Sequence, residues 1–297
     1  MTNMQLCRLY MDEFVRSSER KWMLDGEAYY RVDNPEIMNR KMYRYREEKT
    51  TGQIEKVLDR SKPNNKRAHG FMHLLIEDKT NYLLSKPYTL TCEESEEYLS
   101  MVQDTLGKNF QNRRLMRLGV SASNGGIAWL HPYIDEQGKF QTMIIPPEQG
   151  IPLWRDNDHE ELNGFIWFYN VQVIEGQEQK TVTKVEYWLS EAVAYYISDS
   201  EGEGWDLRLD SERYLDAVAD ENREFMEHFH IGNEAGNWGK VPFVPFKNND
   251  YELPDLKFVK SLIDGYDKAR SDVANFLDEV RSIVYALKGY GGHDLGE

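Results

Sequence analysis

The sequence predicts an α+β fold: N-terminal helices, then an antiparallel β-rich region, then one long helix. Three observations carry this prediction. Up to about residue 118 the segments are helix-length, with apolar residues three and four apart. After Gly119 the character changes to short runs rich in aromatic and β-branched residues, separated by Gly, Asn and Asp. Near the end, residues 255–281 place Val259, Leu262, Tyr266, Ala269, Val273, Phe276 and Val280 at alternating steps of three and four, one stripe along a helix.

Each element follows in order. Residues 5–24 read as an amphipathic helix closed by Asp25-Gly26. Asn34 is a good N-cap and Pro35 suits a first turn, so a second short helix is expected from there to Arg46. Lys62-Pro63-Asn64-Asn65 is a turn; a strong helix follows over 66–84 until Lys86-Pro87 breaks it. Residues 88–91 read as a short strand, and 93–118 as one or two helices with a break at Gly107. The runs 127–134, 140–145, 165–174, 181–189 and 192–197 form a β-meander, with turns at 135–138 and 175–177. An acidic loop over 201–206, a short helix over 211–222 and a strand over 223–230 come next. Val241-Pro242-Phe243-Val244-Pro245-Phe246 is an extended, proline-braked strand reaching to Asn249, and 250–254 is the loop into the long helix. Residues 282–290 are β-branched and aromatic and read as a strand, with Gly291-Gly292 as its turn.

Composition bounds the function. With 40% hydrophobic and 29% charged residues, the 297-residue chain can build an ample core. It has no apolar run of about 18 residues, so no membrane span is expected, and its first residues do not read as a secretory signal. Cys7 and Cys92 are too few for a disulfide framework; a reducing compartment and small buried thiols are the simpler reading. Net charge is −15, unevenly spread. Residues 1–120 carry 21 basic and 18 acidic side chains, and residues 121–297 carry 15 and 33. The acidic part would repel a phosphate backbone, which disfavours tight groove-reading of DNA; it reads as plain solubility charge or as a surface that lets DNA slide past.

Catalytic chemistry is not signalled. Neither GxxxxGK[ST] nor GxGxxG occurs, and Ser123-Asn124-Gly125-Gly126 precedes a strand, so it reads as a turn. His69 and His73 are four apart, but Gly70 stands where an HExxH motif has glutamate. His228 and His230 share one side of a strand without further ligands. Lys62, Lys66 and Arg67, and Arg113, Arg114 and Arg117, could meet nucleic acid, and equally form solvated helix faces. No catalytic residue, no metal ligand set and no cofactor is expected, and the chain is not read as an enzyme.

Three stretches stand out by their order. The first is Asp25-Gly26-Glu27-Ala28-Tyr29-Tyr30, with its tyrosine pair. The second runs from Lys62-Pro63-Asn64-Asn65-Lys66 to Asn81-Tyr82-Leu83-Leu84-Ser85-Lys86-Pro87. The third and most specific is 239–249, followed by Ser261-Leu262-Ile263-Asp264-Gly265-Tyr266-Asp267 and Ser271-Asp272-Val273-Ala274-Asn275. Together they resemble the portal, or head-to-tail connector, proteins of tailed bacteriophages, closest to those of siphophages of Gram-positive hosts. Arg31 and Ser85 replace glycines of the family pattern.

The resemblance implies a wing-like domain over 1–250 (helical 1–118, β-rich 119–250), a stem helix over 251–281 and the start of a clip, truncated, over 282–297. It implies a homo-oligomeric ring, a dodecamer when full length, at one capsid vertex of the virion, assembled in the host cytoplasm. Double-stranded DNA would pass through its channel without sequence preference. The terminase large subunit, capsid and scaffolding proteins, and a head-completion or adaptor protein would dock on it. The stripe from Val259 to Val280 is then the packing or oligomer surface. Asp264, Asp267, Asp272 and Asp278 are candidates for the channel wall or, alternatively, the outer solvated face. The other reading is a coiled-coil interaction module oligomerising through 255–288, since Ile283 and Leu287 keep the heptad-like spacing.

Overall fold

Consecutive apolar side chains along β-strands in the second half of the chain point alternately to opposite faces of one sheet and so build two separate cores. A computed structural model describes residues 1–47, 53–109, 113–175, 178–199, 204–214, 224–232 and 234–289. The chain divides into two units. One comprises Met1–Gly26 with Glu77–Asp255, the other Glu27–Ile76 with the chain from Leu256 onward.

The helical part begins with α1 (Asn3–Arg16), α2 (Ser18–Tyr30) and α3 (Pro35–Met38). A hairpin of β1 (Tyr43–Glu47) and β2 (Ile54–Leu58) follows, then α4 (Phe71–Leu84), α5 (Glu96–Asn109) and α6 (Leu115–Gly125). The β-rich part holds β3 (Ile127–Ile134), β4 (Phe140–Ile145), β5 (Gly150–Trp154), β6 (Leu162–Glu175), β7 (Glu178–Trp188), β8 (Val193–Ser198) and β9 (Arg208–Leu209). Helix α7 (Ser211–Tyr214) and strands β10 (Phe229–Ile231), β11 (Glu234–Gly236) and β12 (Val244–Lys247) lead to the long helix α8 (Leu256–Gly289).

In the first unit, β12-β3-β4 form one sheet and β5-β6-β7-β8-β9 another, all antiparallel. Strand β6 shows the alternation. Phe165 and Trp167 join Trp129, Ile145 and Phe243, while Ile166 and Phe168 join Cys7, Met11 and Trp205. Both faces of the five-stranded sheet are therefore buried around the continuous apolar run Phe165-Ile166-Trp167-Phe168. Helix α1 covers one face through Cys7 and Met11, four residues apart. Its start is fixed by a capping box: Thr2 Oγ1 accepts from Gln5 N, and Gln5 Oε1 accepts from Thr2 N at 3.0 Å. Burial pushes the Cys7 thiol up to about 12, so it is an inert core group.

Several expected elements are corrected. Gly26 does not close a helix; the break comes at Ser17, and Gly26 lies inside α2, where a Cβ would collide with the Asn124 backbone. The helix expected to reach Arg46 stops at Met38, and the alternating Tyr43-Arg44-Tyr45-Arg46 pairs with Ile54–Leu58, a strand not anticipated. The helix expected from Lys66 starts at Phe71, because the backbone before it is bonded elsewhere, as shown below. Residues 88–91 form no strand. Gly107 lies within α5, so the helix does not break there; 110–112 lie outside the described residues, and 113–114 form a π-helical turn leading into α6.

Strand β5 was also missed, being only five residues long with a central proline. The helix expected over 211–222 is described as far as Tyr214, with 215–222 outside the described residues. The strand expected over 223–230 is confined to Phe229–Ile231, with Arg223 outside. The turn at 175–177 and the loop at 201–206 also lie partly outside the described residues. Finally, 282–289 is not a strand. Helix α8 continues through Gly289, because Ile283 and Leu287 extend the Phe276–Val280 spacing and local periodicity outweighs β-propensity. Tyr290 and Gly291-Gly292 lie outside the described residues.

One buried group makes this core pH-sensitive. His131 on β3 is 2% exposed, and its Nδ1 donates to the Pro242 carbonyl at 2.7 Å. Its ring stacks on Phe243 at 4.5 Å. Burial, and secondarily His228 nearby, lowers its pKa to about 4 from 6.5. Between those values the unfolded chain binds a proton that the native chain refuses, so this site's contribution is lost as pH falls through that window. Glu186, buried with Tyr169 and Trp188 donating to it, is shifted up by burial and acts in the opposite sense. Comparing urea unfolding at pH 7 and pH 5, His131→Gln should lose roughly 2 kcal/mol less than the parent chain. An identical pH response of the two would contradict a neutral buried imidazole.

Candidate assembly surface

Helix α8 is 34 residues long, about 50 Å at 1.5 Å per residue. It forms because strong helix formers dominate and its apolar residues keep one angular position. Gly265 falls inside it, with open space where its Cβ would be, so this glycine marks no close approach. Which face turns inward is the informative point. Ile263, Asp267, Ser271, Ala274 and Asn275 are buried. From Ile263 they recur at steps of four, four, three and one and, with buried Leu256 at the start of the helix, seal one face; three of these six described residues are polar.

The partners of that face come from Glu27–Ile76 of the same unit. Asp267, 0% exposed, accepts from Asn34 Nδ2 and lies 2.7 Å from His69 Nδ1. Ser271 Oγ accepts the backbone N–H of Arg67 at 3.0 Å. Asn275 Oδ1 accepts from Asn65 N at 2.6 Å and Asn65 Nδ2 at 3.0 Å; the latter also donates to Asp278 at 2.8 Å. These bonds hold residues 65–69 extended and explain why α4 begins late. At the near end of α8, Tyr29 OH donates to Asp264, which also accepts from Lys260 at 2.8 Å. Burial and the Asp264 hydrogen bond raise the Tyr29 pKa. Burial opposes charge on Lys260, but its bonds to Asp264 and Tyr29 prevail and raise it. Arg40 pairs with Asp272.

All four carboxylates singled out in the sequence therefore bond within their own unit. Asp267 is sealed inside it, and Asp272 is the most open, with 48% of its side chain exposed. The apolar stripe lies on the opposite side. Leu262 (72%), Tyr266, Ala269, Val273, Phe276 and Val280 are exposed, and Val259 is half-buried. Phe258 and Leu277 are also exposed and enlarge the same surface. Sequence reasoning missed them, because they sit beside the three-four stripe. Among the described residues of this surface, only Tyr266 has aromatic neighbours within the unit, His69 and Phe71, both edge-on, at 4.8 and 5.1 Å. The helix is thus amphipathic in reverse: polar face inward, apolar face outward.

The histidine pairs do not converge. His69 serves Asp267, whereas His73 packs on Tyr30 at 4.7 Å. His228 bonds the Leu189 carbonyl and the Trp238 N–H, and His230 is exposed. Among the described residues no three His, Cys, Asp or Glu side chains are grouped to hold a metal ion.

A family profile described as "Phage portal protein, SPP1 Gp6-like" matches residues 16–297. The chain belongs to this family of phage portal proteins. It is 31% identical over 277 residues to the "Portal protein" of Bacillus phage SPP1, covering 93% of this chain and 50% of that protein. It is 28% identical over 291 residues to the "Portal protein" of Clostridium phage phiCD119, covering 95% of this chain and 58% of that one. The chain thus spans about half the length of the relatives it matches. Among the described residues no helix is long and apolar enough to cross a membrane.

The three motifs that carried the portal resemblance meet in the network just described. Tyr29 of the tyrosine pair bonds Asp264, and Asn65 of the asparagine turn bonds Asn275. Both partners belong to the helix motif.

The network makes a sharp stability contrast. Asp267→Ala strands the Asn34 amide and His69 and should cost about 2–4 kcal/mol in urea unfolding. Leu262→Ala, on the exposed stripe, should change stability by less than about 0.5 kcal/mol. Similar losses from both would contradict the inward-polar orientation of α8.

Proposed function

We propose that this chain is a ring-forming subunit of a phage DNA-packaging portal. In this reading twelve copies form the ring at one capsid vertex, through which double-stranded DNA is packaged and later ejected. The terminase large subunit docks on it during filling, and a head-completion or adaptor protein docks afterwards; capsid and scaffolding proteins seat it in the shell. The chain itself does no chemistry, and the motor supplies ATP hydrolysis. Residues 1–250 serve as wing and α8 as stem. Asp264, Asp272 and Asp278 remain candidates for an acidic channel wall that DNA slides past, and Asp267, sealed in its own unit, does not.

Beside family membership, the observation that carries this reading is the outward apolar stripe of α8. A long exposed helix with Leu262, Val273, Phe276 and Val280 on one side has a surface suited to burial against a neighbouring subunit. A coiled-coil module is the second reading, favoured by the helix continuing through Ile283 and Leu287.

Light scattering behind size exclusion, over a range of concentrations, separates the two. The portal reading expects a particle many times the 34.9 kDa chain mass, lost when Leu262 and Phe276 are both changed to Asp. A discrete dimer or trimer, lost in Leu262→Asp alone, would sink the ring and carry the coiled coil. A monomer throughout would sink both.

A further inference from the structure

A side-chain cluster in the first unit holds an amine, a carboxamide and a carboxylate in mutual contact. It lies where α4, the end of α6 and the residues flanking the 249–254 loop meet. Lys79 Nζ, on α4, donates to Asn248 Oδ1 at 2.5 Å and to Asp255 Oδ2 at 2.7 Å. Asn248 Nδ2 donates to Asp255 Oδ1 at 2.8 Å and to the Leu253 carbonyl at 2.9 Å. Ser123 Oγ lies 3.4 Å from Asn248 Oδ1, and Ser123 is 1% exposed. The backbone pins both partners of the lysine to the end of α6. Asn248 N–H donates to the Gly126 carbonyl at 2.9 Å, and Asp255 N–H donates to the Ser123 carbonyl at 3.0 Å. Lys79, Asn248 and Asp255 are half-buried.

An ion pair needs only the amine and the carboxylate. Here the two oxygens of Asp255 are divided between two nitrogens, the amine of Lys79 and the amide nitrogen of Asn248. That division is what a proton relay requires when an amine displaces an amide nitrogen: one oxygen takes protons from the nucleophile and the other hands them to the leaving group. The amide C=O bond is about 1.23 Å, so Lys79 Nζ stands within about 3.7 Å of Asn248 Cγ, close to an attacking distance. Ser123 is placed to donate to Oδ1 as negative charge develops there.

We propose that Lys79 and Asn248 join through an isopeptide bond, with Asp255 as the proton relay. Lys79 Nζ gives up two of its three protons and forms a bond to Asn248 Cγ. The Cγ–Nδ2 bond breaks, and Nδ2 leaves with those two protons as ammonium. Asp255 begins and ends as a carboxylate, and no oxidant or reductant is needed. Holding the groups together replaces a bimolecular encounter, and one event per chain suffices. The link turns over no substrate, so the part proposed for the chain in a ring stays structural. It closes residues 79–248 into a covalent loop and ties α4 to the segment that enters α8.

Intact-mass spectrometry of the purified chain, followed by peptide mapping, tests the link. The linked chain weighs less than its sequence by about 17 Da, the mass of ammonia. Trypsin no longer cuts after Lys79, and one branched peptide carries both Lys79 and Asn248. In a denaturing gel the parent chain runs ahead of Lys79→Arg, because its loop stays closed after unfolding. Asp255→Asn, nearly the same size, keeps the full sequence mass. A parent chain at its full sequence mass overturns the proposal, and that result needs no variant to fold. A mass loss that persists in Lys79→Arg belongs to another group, such as a cyclised asparagine, and overturns it too. A branched peptide that still forms in Asp255→Asn overturns the relay.

Discussion

The buried carboxylate of Asp267 sets the orientation of α8, and the rest of the second unit follows from that orientation. A carboxylate without water needs donors, and here they come from Asn34 and His69, 233 and 198 residues away in sequence. Ser271 and Asn275, one and two turns further on, repeat the arrangement by accepting the backbone N–H groups of Arg67 and Asn65. A hydrophobic inner face would tolerate rolling about the helix axis at little cost. This one does not, because each roll would leave a buried oxygen without its donor. The polar contacts therefore specify geometry more than they add stability.

Fixing the polar face inward leaves the apolar stripe no choice but to face out. An ordinary surface helix hides its stripe against its own core. Here the core side is already occupied, and Leu262, Phe276 and their neighbours are left for something outside the unit. That inversion is what membership of the phage portal family makes intelligible. On the proposed ring reading, the surface that looks unfinished in one copy is the one that the next copy covers.

Much of the fold was legible because it depends on local periodicity. The strands β3, β4, β6, β7 and β8 and the long helix follow from alternation at two and at three-to-four residues. The stripe on α8 was equally legible as a stripe. Its facing was not, since a sequence shows which residues share an angular position but not which side another segment occupies. The decisive partners, Asn65 for Asn275 and Arg67 for Ser271, are more than 200 residues apart. The same long-range bonds delayed the start of α4, so helix propensity over 66–70 lost to tertiary contacts that no window could reveal. The β1 strand failed for a different reason. Its Tyr-Arg alternation was readable, but the apolar residues of β2, Ile54, Val57 and Leu58, stand three and four apart and do not alternate, so no pairing partner stood out.

The outward stripe of α8 supplies area but not direction. Packed against its own copy about a two-fold axis, an apolar surface gives an isolated dimer as readily as a ring. The polar contacts that turn the stripe outward are fixed within one copy, through Asn34, Asn65, Arg67 and His69, and leave it no charged group of their own to set the angle of a neighbour. On the proposed ring reading the symmetry of the assembly must therefore be set by contacts other than the stripe, which is why the mass of the particle in solution, and not the exposure of Leu262 or Phe276, decides between ring and coiled coil.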